Sequence, residues 1–294
     1  MSVVGLLFNT SKAPALRIAQ RVLAWCNKRG IEVLVPPEEA VFLGVGASSD
    51  QEFLERSTLV VVIGGDGTFL RAARYTLGRE IPLYGINVGR LGFLAIGSPL
   101  SAEEDLSTIM DGRYTLQTRE CLKGIVIRDG EEVHELFALN DLVVTKGSFA
   151  RSIDLELSID GELVGLFPCD GFIASTPTGS TAYSLSAGGP IVPPHLSCMI
   201  LAPICAHTLY SRPIVLGPND RAVITPLCED REVLLTQDGQ LGYRLQGRDS
   251  IEVSISGAPK VYTISLPDRS YYSLLRDKLR WGRCAFDPGG DESC

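Results

Sequence analysis

Apolar and polar positions along the first 112 residues switch repeatedly between two periods. Val3–Phe8 is a short, almost wholly apolar run, as in a strand buried on both faces. Over Ala13–Arg29 the residues Leu16, Ala19, Val22, Leu23 and Cys26 recur at helical spacing, and Gly30 supplies the stop. Ile31–Val35 reads as the next strand, broken by Pro36-Pro37. Leu59–Ile63 (Leu-Val-Val-Val-Ile) is the strongest strand signal in the chain and suits the middle of a parallel sheet. It runs into Gly64-Gly65-Asp66-Gly67, after which Thr68–Leu77 reads as a helix ending at Gly78. Ile81–Ile86 is a further strand, leading into the glycine-rich Asn87–Phe93. Ser101-x-x-Glu104 has the form of a capping box opening a short helix that stops at Gly112. Strand–helix alternation of this kind predicts an open, doubly wound α/β layer.

From about Tyr114 the period changes to two. Runs of β-formers are separated by Asp129-Gly130, Asp160-Gly161 and Asp238-Gly239, each a hairpin signal between alternating segments. No long helical pattern occurs between about 115 and 265, so this half is expected to be all-β, a sandwich or a barrel, with the β-sandwich preferred. Tyr271–Trp281 returns to helical spacing, with Leu274, Leu275, Lys278 and Leu279 in a suitable pattern. The expected organisation is an α/β nucleotide-binding domain over 1–115 and an all-β domain over 116–267. A C-terminal helix within 268–283 is expected to pack back on the first domain, and the tail 284–294 is expected to be disordered.

Composition narrows the functional classes. The chain has 294 residues, 45% hydrophobic and 21% charged, with a net charge of −8. An acidic protein is a poor nucleic-acid coat or membrane-surface binder, since both need basic faces. Neither an export core nor an apolar run of about 18 residues occurs, so a soluble, cytoplasmic protein is expected. The eight cysteines include no C-x-x-C pair, and with three histidines no zinc spacing can be written. Scattered thiols of this kind suit a reducing compartment.

The chemistry concentrates in three segments. In the first, a buried strand ends at Gly64-Gly65 and a helix begins near Gly67-Thr68. That geometry presents main-chain N–H groups and the positive end of a helix to an anion, a phosphate cradle. Asp66 is the odd member, because a carboxylate there repels a phosphate unless it handles a proton or a bridging Mg²⁺. The plainer alternative is a helix cap or an Asp-Gly turn, and the chain has six Asp-Gly pairs. As a proton acceptor, Asp66 points to phosphoryl transfer from a nucleotide to a hydroxyl, with most of the acceleration left to positioning and charge neutralisation. No G-x-x-x-x-G-K-[ST] is present, no G-x-G-x-x-G follows the first strand, and protein-kinase signatures are missing. The second segment, Asp170–Pro190, is rich in small and hydroxylic residues, suited to wrapping a polyhydroxylated ligand, with a bland loop as the alternative. The third, Asn140-Asp141, places an amide beside a carboxylate at a strand edge, where a vicinal diol or a simple turn accounts for it.

Together these segments resemble the NAD kinases, which phosphorylate the adenosine ribose 2′-hydroxyl of NAD. The matching stretches are Gly64–Thr68 (GGDGT), Gly85–Ala95 (GINVGRLGFLA), Asn140-Asp141, Asp170–Pro190 (DGFIASTPTGSTAYSLSAGGP) and Ser211-Arg212-Pro213 after Ala202-Pro203. The GGDG turn is shared with diacylglycerol-type lipid kinases and phosphofructokinases, whereas the Thr-Pro-Thr-Gly-Ser-Thr-Ala-Tyr stretch is far more specific. The resemblance implies that Asp66 accepts the proton, with Gly67 beside the ligand. It also implies that Asn140 and Asp141 hold ribose hydroxyls, Asp170 faces the nicotinamide end, and Thr181, Ala182, Tyr183, Ser184, Leu185 and Ser186 line the nucleotide. Phe93 packs on the ligand, Arg71 and Arg151 are candidate phosphate contacts, and Gln240 reaches the site from another strand or subunit. For both arginines a solvated surface role is the alternative. Many members carry Asn-Glu where this chain has Asn140-Asp141, whose reach is one methylene shorter, which leaves open the exact hydroxyl contacts. Some carry arginine where it has Pro168, which leaves open the choice between NAD and NADH. The implied substrates are NAD and ATP, with Mg²⁺ carried by ATP and no resident metal, and the implied assembly is a homodimer or homotetramer.

Two other readings use the same residues. A lipid kinase sharing the GGDGT cradle requires an apolar or membrane-binding face, and no basic amphipathic helix is visible. A non-catalytic NAD-binding module leaves the carboxylate in the cradle without a purpose.

Overall fold

A computed structural model describes residues 2–147, 152–208, 210–227, 231–267 and 269–280. The expected disordered tail and Trp281 lie outside the described residues. The chain divides into two compact units, one of residues 1–69, 84–115 and 264 onward, the other of 70–83 and 116–263. Segment 70–83 therefore groups with the second unit, unlike the expected boundary at 115.

The first half alternates as its periodicity predicts: β1 (Val3–Phe8), α1 (Ala13–Lys28), β2 (Glu32–Leu34), α2 (Pro37–Leu43), α3 (Asp50–Arg56), β3 (Leu59–Gly64), α4 (Asp66–Tyr75), β4 (Leu83–Asn87) and α5 (Ala102–Met110). Helices α2 and α3 were not expected. Pro36-Pro37 ends β2 as predicted, but Pro37 then occupies the first turn of α2, where a missing N–H costs nothing. Ser49 caps α3 by accepting the Glu52 N–H at 3.1 Å. The expected capping box at Ser101 does not form: the Ser101 side chain makes no cap bond. Its hydroxyl bonds the Asp105 carboxylate instead, at 3.0 Å.

The remaining elements are β5 (Thr115–Glu120), β6 (Leu122–Arg128), β7 (Glu131–Ala138), β8 (Asp141–Lys146), β9 (Ile153–Ile159), β10 (Glu162–Cys169), β11 (Gly171–Ser175), a 3₁₀ turn (Gly179–Thr181), α6 (Tyr183–Ser186), β12 (Met199–Ile204), β13 (Ile214–Leu216), β14 (Ala222–Pro226), β15 (Val233–Gln237), β16 (Leu241–Leu245), β17 (Ser250–Ser254), β18 (Lys260–Ser265) and α7 (Tyr271–Leu279).

One sheet runs β2-β1-β3-β4-β18-β5, with β1 parallel to both β2 and β3. The chain leaves β1 for β2 on one side and returns to β3 on the other, so the topological switch point lies between β1 and β3. Ligands of open α/β sheets bind outside the carboxyl ends of the strands at such a point, and Gly64-Gly65-Asp66 stands there. Every residue of β3 is buried. At about 1.5–3 kcal/mol per large apolar side chain, Val60–Ile63 anchor the turn that follows firmly.

The other two sheets, β10-β9-β14-β17-β6-β7 and β13-β12-β11-β8-β15-β16, form the expected sandwich. Its core interleaves Val126, Leu155 and Ile251 of one with Leu142, Phe172 and Leu235 of the other. All three Asp-Gly turns close hairpins: the strand pairs β6–β7, β9–β10 and β15–β16 are antiparallel. Asp129, Asp160 and Asp238 each take φ near +50° with the following glycine also positive, as a type I′ turn requires.

Candidate functional site

The structure sorts the site residues into two clusters, one in each unit. In the first unit the cluster centres on Asp66. Gly64 ends β3 with the Thr68 side chain packed directly on it, and Thr68 and Phe69 both donate their N–H to the Gly65 carbonyl. Asp66 therefore opens α4, and its half-buried carboxylate faces the loop after β4. Phe93 N–H donates to Oδ2 at 2.8 Å, and the N–H groups of Leu94 and Ala95 donate to Oδ1 at 3.0 and 3.3 Å. Three main-chain donors thus fix both oxygens in one orientation. Gly92 makes the approach possible, because a Cβ there would stand 1.9 Å from Asp66 Oδ1. The loop is held in turn against β4, where Asn87 donates to Gly97 and Gly97 to Gly85, at 2.8 and 2.7 Å.

In the second unit three segments meet at Asn140-Asp141, where the chain crosses from β7 in one sheet to β8 in the other. The Asp238 carboxylate, at the tip of the β15–β16 hairpin, accepts the N–H groups of Leu139, Asn140 and Asp141 at 3.2, 2.7 and 3.2 Å. From the other side Thr176 donates its N–H to the Asn140 carbonyl at 2.9 Å and its hydroxyl to the Leu139 carbonyl at 2.6 Å. Gly179 lies so close that a Cβ would meet the Asn140 oxygen at 2.1 Å. The main chain of Asn140 is thus gripped on both sides while its carboxamide has no partner among the described residues.

Asp141 is 4% exposed, and its carboxyl accepts the Tyr183 main-chain N–H. Burial, then repulsion from Asp238, pushes its pKa up to about 7, and the Tyr183 bond only partly offsets this. Burial raises Asp238 too, but its three N–H donors and the charge of Arg74 oppose the rise. Of the two, Asp238 is the better stabilised anion, with three N–H donors against one for Asp141. Arg74 donates to the Gln240 side chain at 3.0 Å, which places Gln240 on the same hairpin tip.

The other expected residues are distributed as follows. Thr181 hydroxyl bonds the Thr178 carbonyl at 3.4 Å, and Ala182 N–H donates to Gly179. Tyr183 is exposed, Leu185 half-buried and Ser186 exposed on α6, while Ser184 is wholly buried with its hydroxyl unpaired. Asp170 forms an ion pair with Lys146 at 2.7 Å. Arg71 is a half-buried residue of α4, Gly67 is exposed at that helix's start, and Arg151 lies outside the described residues. Two residues of the clusters were not expected. Asp238 is fully accounted for as a hairpin turn in sequence, so its three bonds leave no local signal. Gly92 lies within a quoted glycine-rich stretch, yet only the fold shows what it touches. Among the described residues no group of three or more His, Cys, Asp or Glu is placed to hold a metal, and no helix is long and apolar enough to cross a membrane.

Comparisons with known proteins match both halves of the chain. Residues 4–114 match the ATP-NAD kinase N-terminal domain, and residues 139–266 match the ATP-NAD kinase C-terminal domain. The NAD kinase of Moorella thermoacetica is 40% identical over 284 residues, covering 96% of this chain and 90% of its own length. That of Syntrophotalea carbinolica is 37% identical, covering 96% and 99%. Among solved structures, an Archaeoglobus fulgidus NAD kinase in complex with ATP superposes with a TM-score of 0.76 at 27% identity, covering 95% of this chain and 98% of that one. A yeast NADH kinase complexed with NADH shares the fold, with a TM-score of 0.89 at 23% identity over 99% of this chain and 90% of that one. With both domain models matched in order and relatives of this identity spanning nearly the whole length, the chain belongs to the ATP-NAD kinase family.

Proposed function

We propose that the protein transfers the γ-phosphoryl group of MgATP to the adenosine ribose 2′-hydroxyl of NAD, giving NADP and ADP. The observation that carries the reading is the Asp66 carboxylate, held in one orientation by three N–H groups beside the carboxyl end of β3. The 2′-oxygen forms a bond to Pγ as the bond from Pγ to the bridging oxygen of ADP breaks. A carboxylate is a weak base toward an alcohol, so Asp66 receives the proton late, once the new O–P bond has formed. Asn140 and Asp141 supply acceptors for ribose hydroxyls, and the gripped main chain keeps them in register. Thr181 to Ser186 line the nucleotide, with the exposed Tyr183 ring available to a base. Phe93 packs on the ligand, Asp170 lies toward the nicotinamide end, and Arg71 with Arg151 serves phosphate. Gly64, Gly65, Gly67 and Thr68 form the cradle. The Archaeoglobus enzyme, at 27% identity and in complex with ATP, supports ATP as donor. Mg²⁺ arrives with the nucleotide as part of the substrate. The scattered cysteines support a reducing, cytoplasmic setting, and Gln240 belongs to the site in a homodimer or homotetramer.

Incubation with NAD, ATP and Mg²⁺ is expected to yield NADP, and absence of that product would sink the activity. Asp66→Asn should nearly abolish turnover while NAD still binds by calorimetry. Full turnover in that variant would remove the base from the scheme.

A further inference from the structure

The loop that holds Asp66 is itself held by the C-terminal segment, at two separate points. Arg269, just before α7, donates to the Ile96 carbonyl at 2.9 Å, one residue beyond the Ala95 N–H that bonds Asp66. The same guanidinium bonds both Asp105 oxygens at 2.9 and 2.7 Å, Ser101 Oγ at 2.9 Å and Tyr84 Oη at 3.2 Å. Tyr84 in turn donates to Asp105 at 2.5 Å. Arg269 is therefore a planar fork whose orientation is set by α5 and β4, and a side chain fixed that way places one carbonyl of the loop accurately. Farther along, Lys278 on α7 lies with Nζ 4.7 Å from the centroid of the Phe93 ring, whose own N–H is the shortest donor to Asp66. Arg269 and α7 thus touch the loop at the first of the three donors and one residue beyond the last.

We propose that Arg269 and Lys278 are positioning residues for Asp66, acting through the Phe93–Ile96 loop. The inference rests on the kinase reading above for its catalytic consequence. Neither residue need touch substrate. Loosening either contact lets the donors drift, and the carboxylate drifts with them, so the loss falls on turnover rather than on substrate binding.

Two substitutions and one independent readout test this. Arg269→Lys keeps a charge for Asp105 but cannot reach Ile96 and Asp105 together, and Lys278→Met removes an exposed cation without disturbing the core. Both should lower kcat, Arg269→Lys by about 10- to 100-fold, with KM for NAD and ATP little changed. Lys278→Arg, which keeps a cation over the ring, should restore the rate. Amide exchange at Phe93, Leu94 and Ala95 should accelerate in Arg269→Lys and Lys278→Met and return to the wild-type rate in Lys278→Arg. Unchanged exchange overturns the proposal whatever the rates do, as does wild-type kcat in both variants. If the wild-type protein itself makes no NADP, the kinase reading fails, and the exchange rates alone still decide whether the C-terminal segment holds the loop.

Discussion

Asp141→Asn should make the protein more stable as the pH rises, even though it damages the site. Asp141 is buried beside a second carboxylate, and its pKa is pushed from the ordinary 3.8 up to about 7. A carboxyl whose pKa is raised by folding favours the native state fully below its unfolded value. That advantage is lost as the pH climbs through the folded value. The two values lie about 3 pH units apart, which at about 1.36 kcal/mol per unit is about 4 kcal/mol given up between pH 4 and 7. Asparagine keeps the shape, can still accept the Tyr183 N–H and does not titrate. At about 2–4 °C per kcal/mol for a unit of 150–250 residues, the variant should gain roughly 8–16 °C in Tm relative to wild type between pH 4 and 8. Calorimetry of both proteins at unit pH steps measures that difference. A Tm difference independent of pH would refute the raised pKa and, with it, the buried pair as its cause.

Other expectations follow from the same contacts. Gly92→Ala places a methyl group 1.9 Å from Asp66 Oδ1, so kcat should fall about 100-fold while calorimetric NAD affinity is kept; unchanged turnover would show that the carboxylate can work from another position. Asp238→Asn replaces a charged acceptor of three N–H bonds by an amide that can accept through one oxygen only. The Asn140-Asp141 crossing should loosen, raising KM for NAD. Loss of the neighbouring charge should also move the acid limb of kcat/KM to lower pH, because the Asp238 charge is the second cause of the Asp141 rise; a pH profile that stays in place would separate the two carboxylates.

The parts of the fold legible in sequence are those whose cause is local. The uninterrupted apolar run Leu59–Ile63 and the glycines behind it announce β3 and its turn, and three Asp-Gly pairs announce three hairpins, because only those residues take positive φ cheaply. Helices α2 and α3 have seven residues each, too few for a period to stand out from noise. Ser101 failed as a cap for a different reason. Its hydroxyl has better partners in Asp105 and Arg269, and the latter lies 168 residues away. In the site, Asp66, Asn140 and Asp141 could be picked out because each is chemically odd in its segment. Asp238, Gly92 and Arg269 could not, since a turn former, a loop glycine and a surface-type arginine each look complete on local grounds.

What holds both clusters together is main chain more than side chain. Asp66 is gripped by the N–H groups of residues 93–95 and Asp238 grips those of 139–141. Any residue but proline offers an N–H, so such clasps place little demand on the identity of Leu94 or Leu139. The demand falls on the carboxylates themselves and on Gly92 and Gly179, where a Cβ would stand within 1.9 and 2.1 Å of a clasped oxygen. A site built this way can keep its geometry while most of the surrounding sequence changes, which fits a fold shared at 23% identity with a TM-score of 0.89. The same economy explains the energetic asymmetry of the carboxylates. Asp66 and Asp238 each receive three donors, whereas Asp141 keeps a single N–H partner and a buried position that raises its pKa. On the proposed reading its remaining acceptor capacity is open to a ribose hydroxyl, so the least satisfied of the three carboxylates is the one left free to bind.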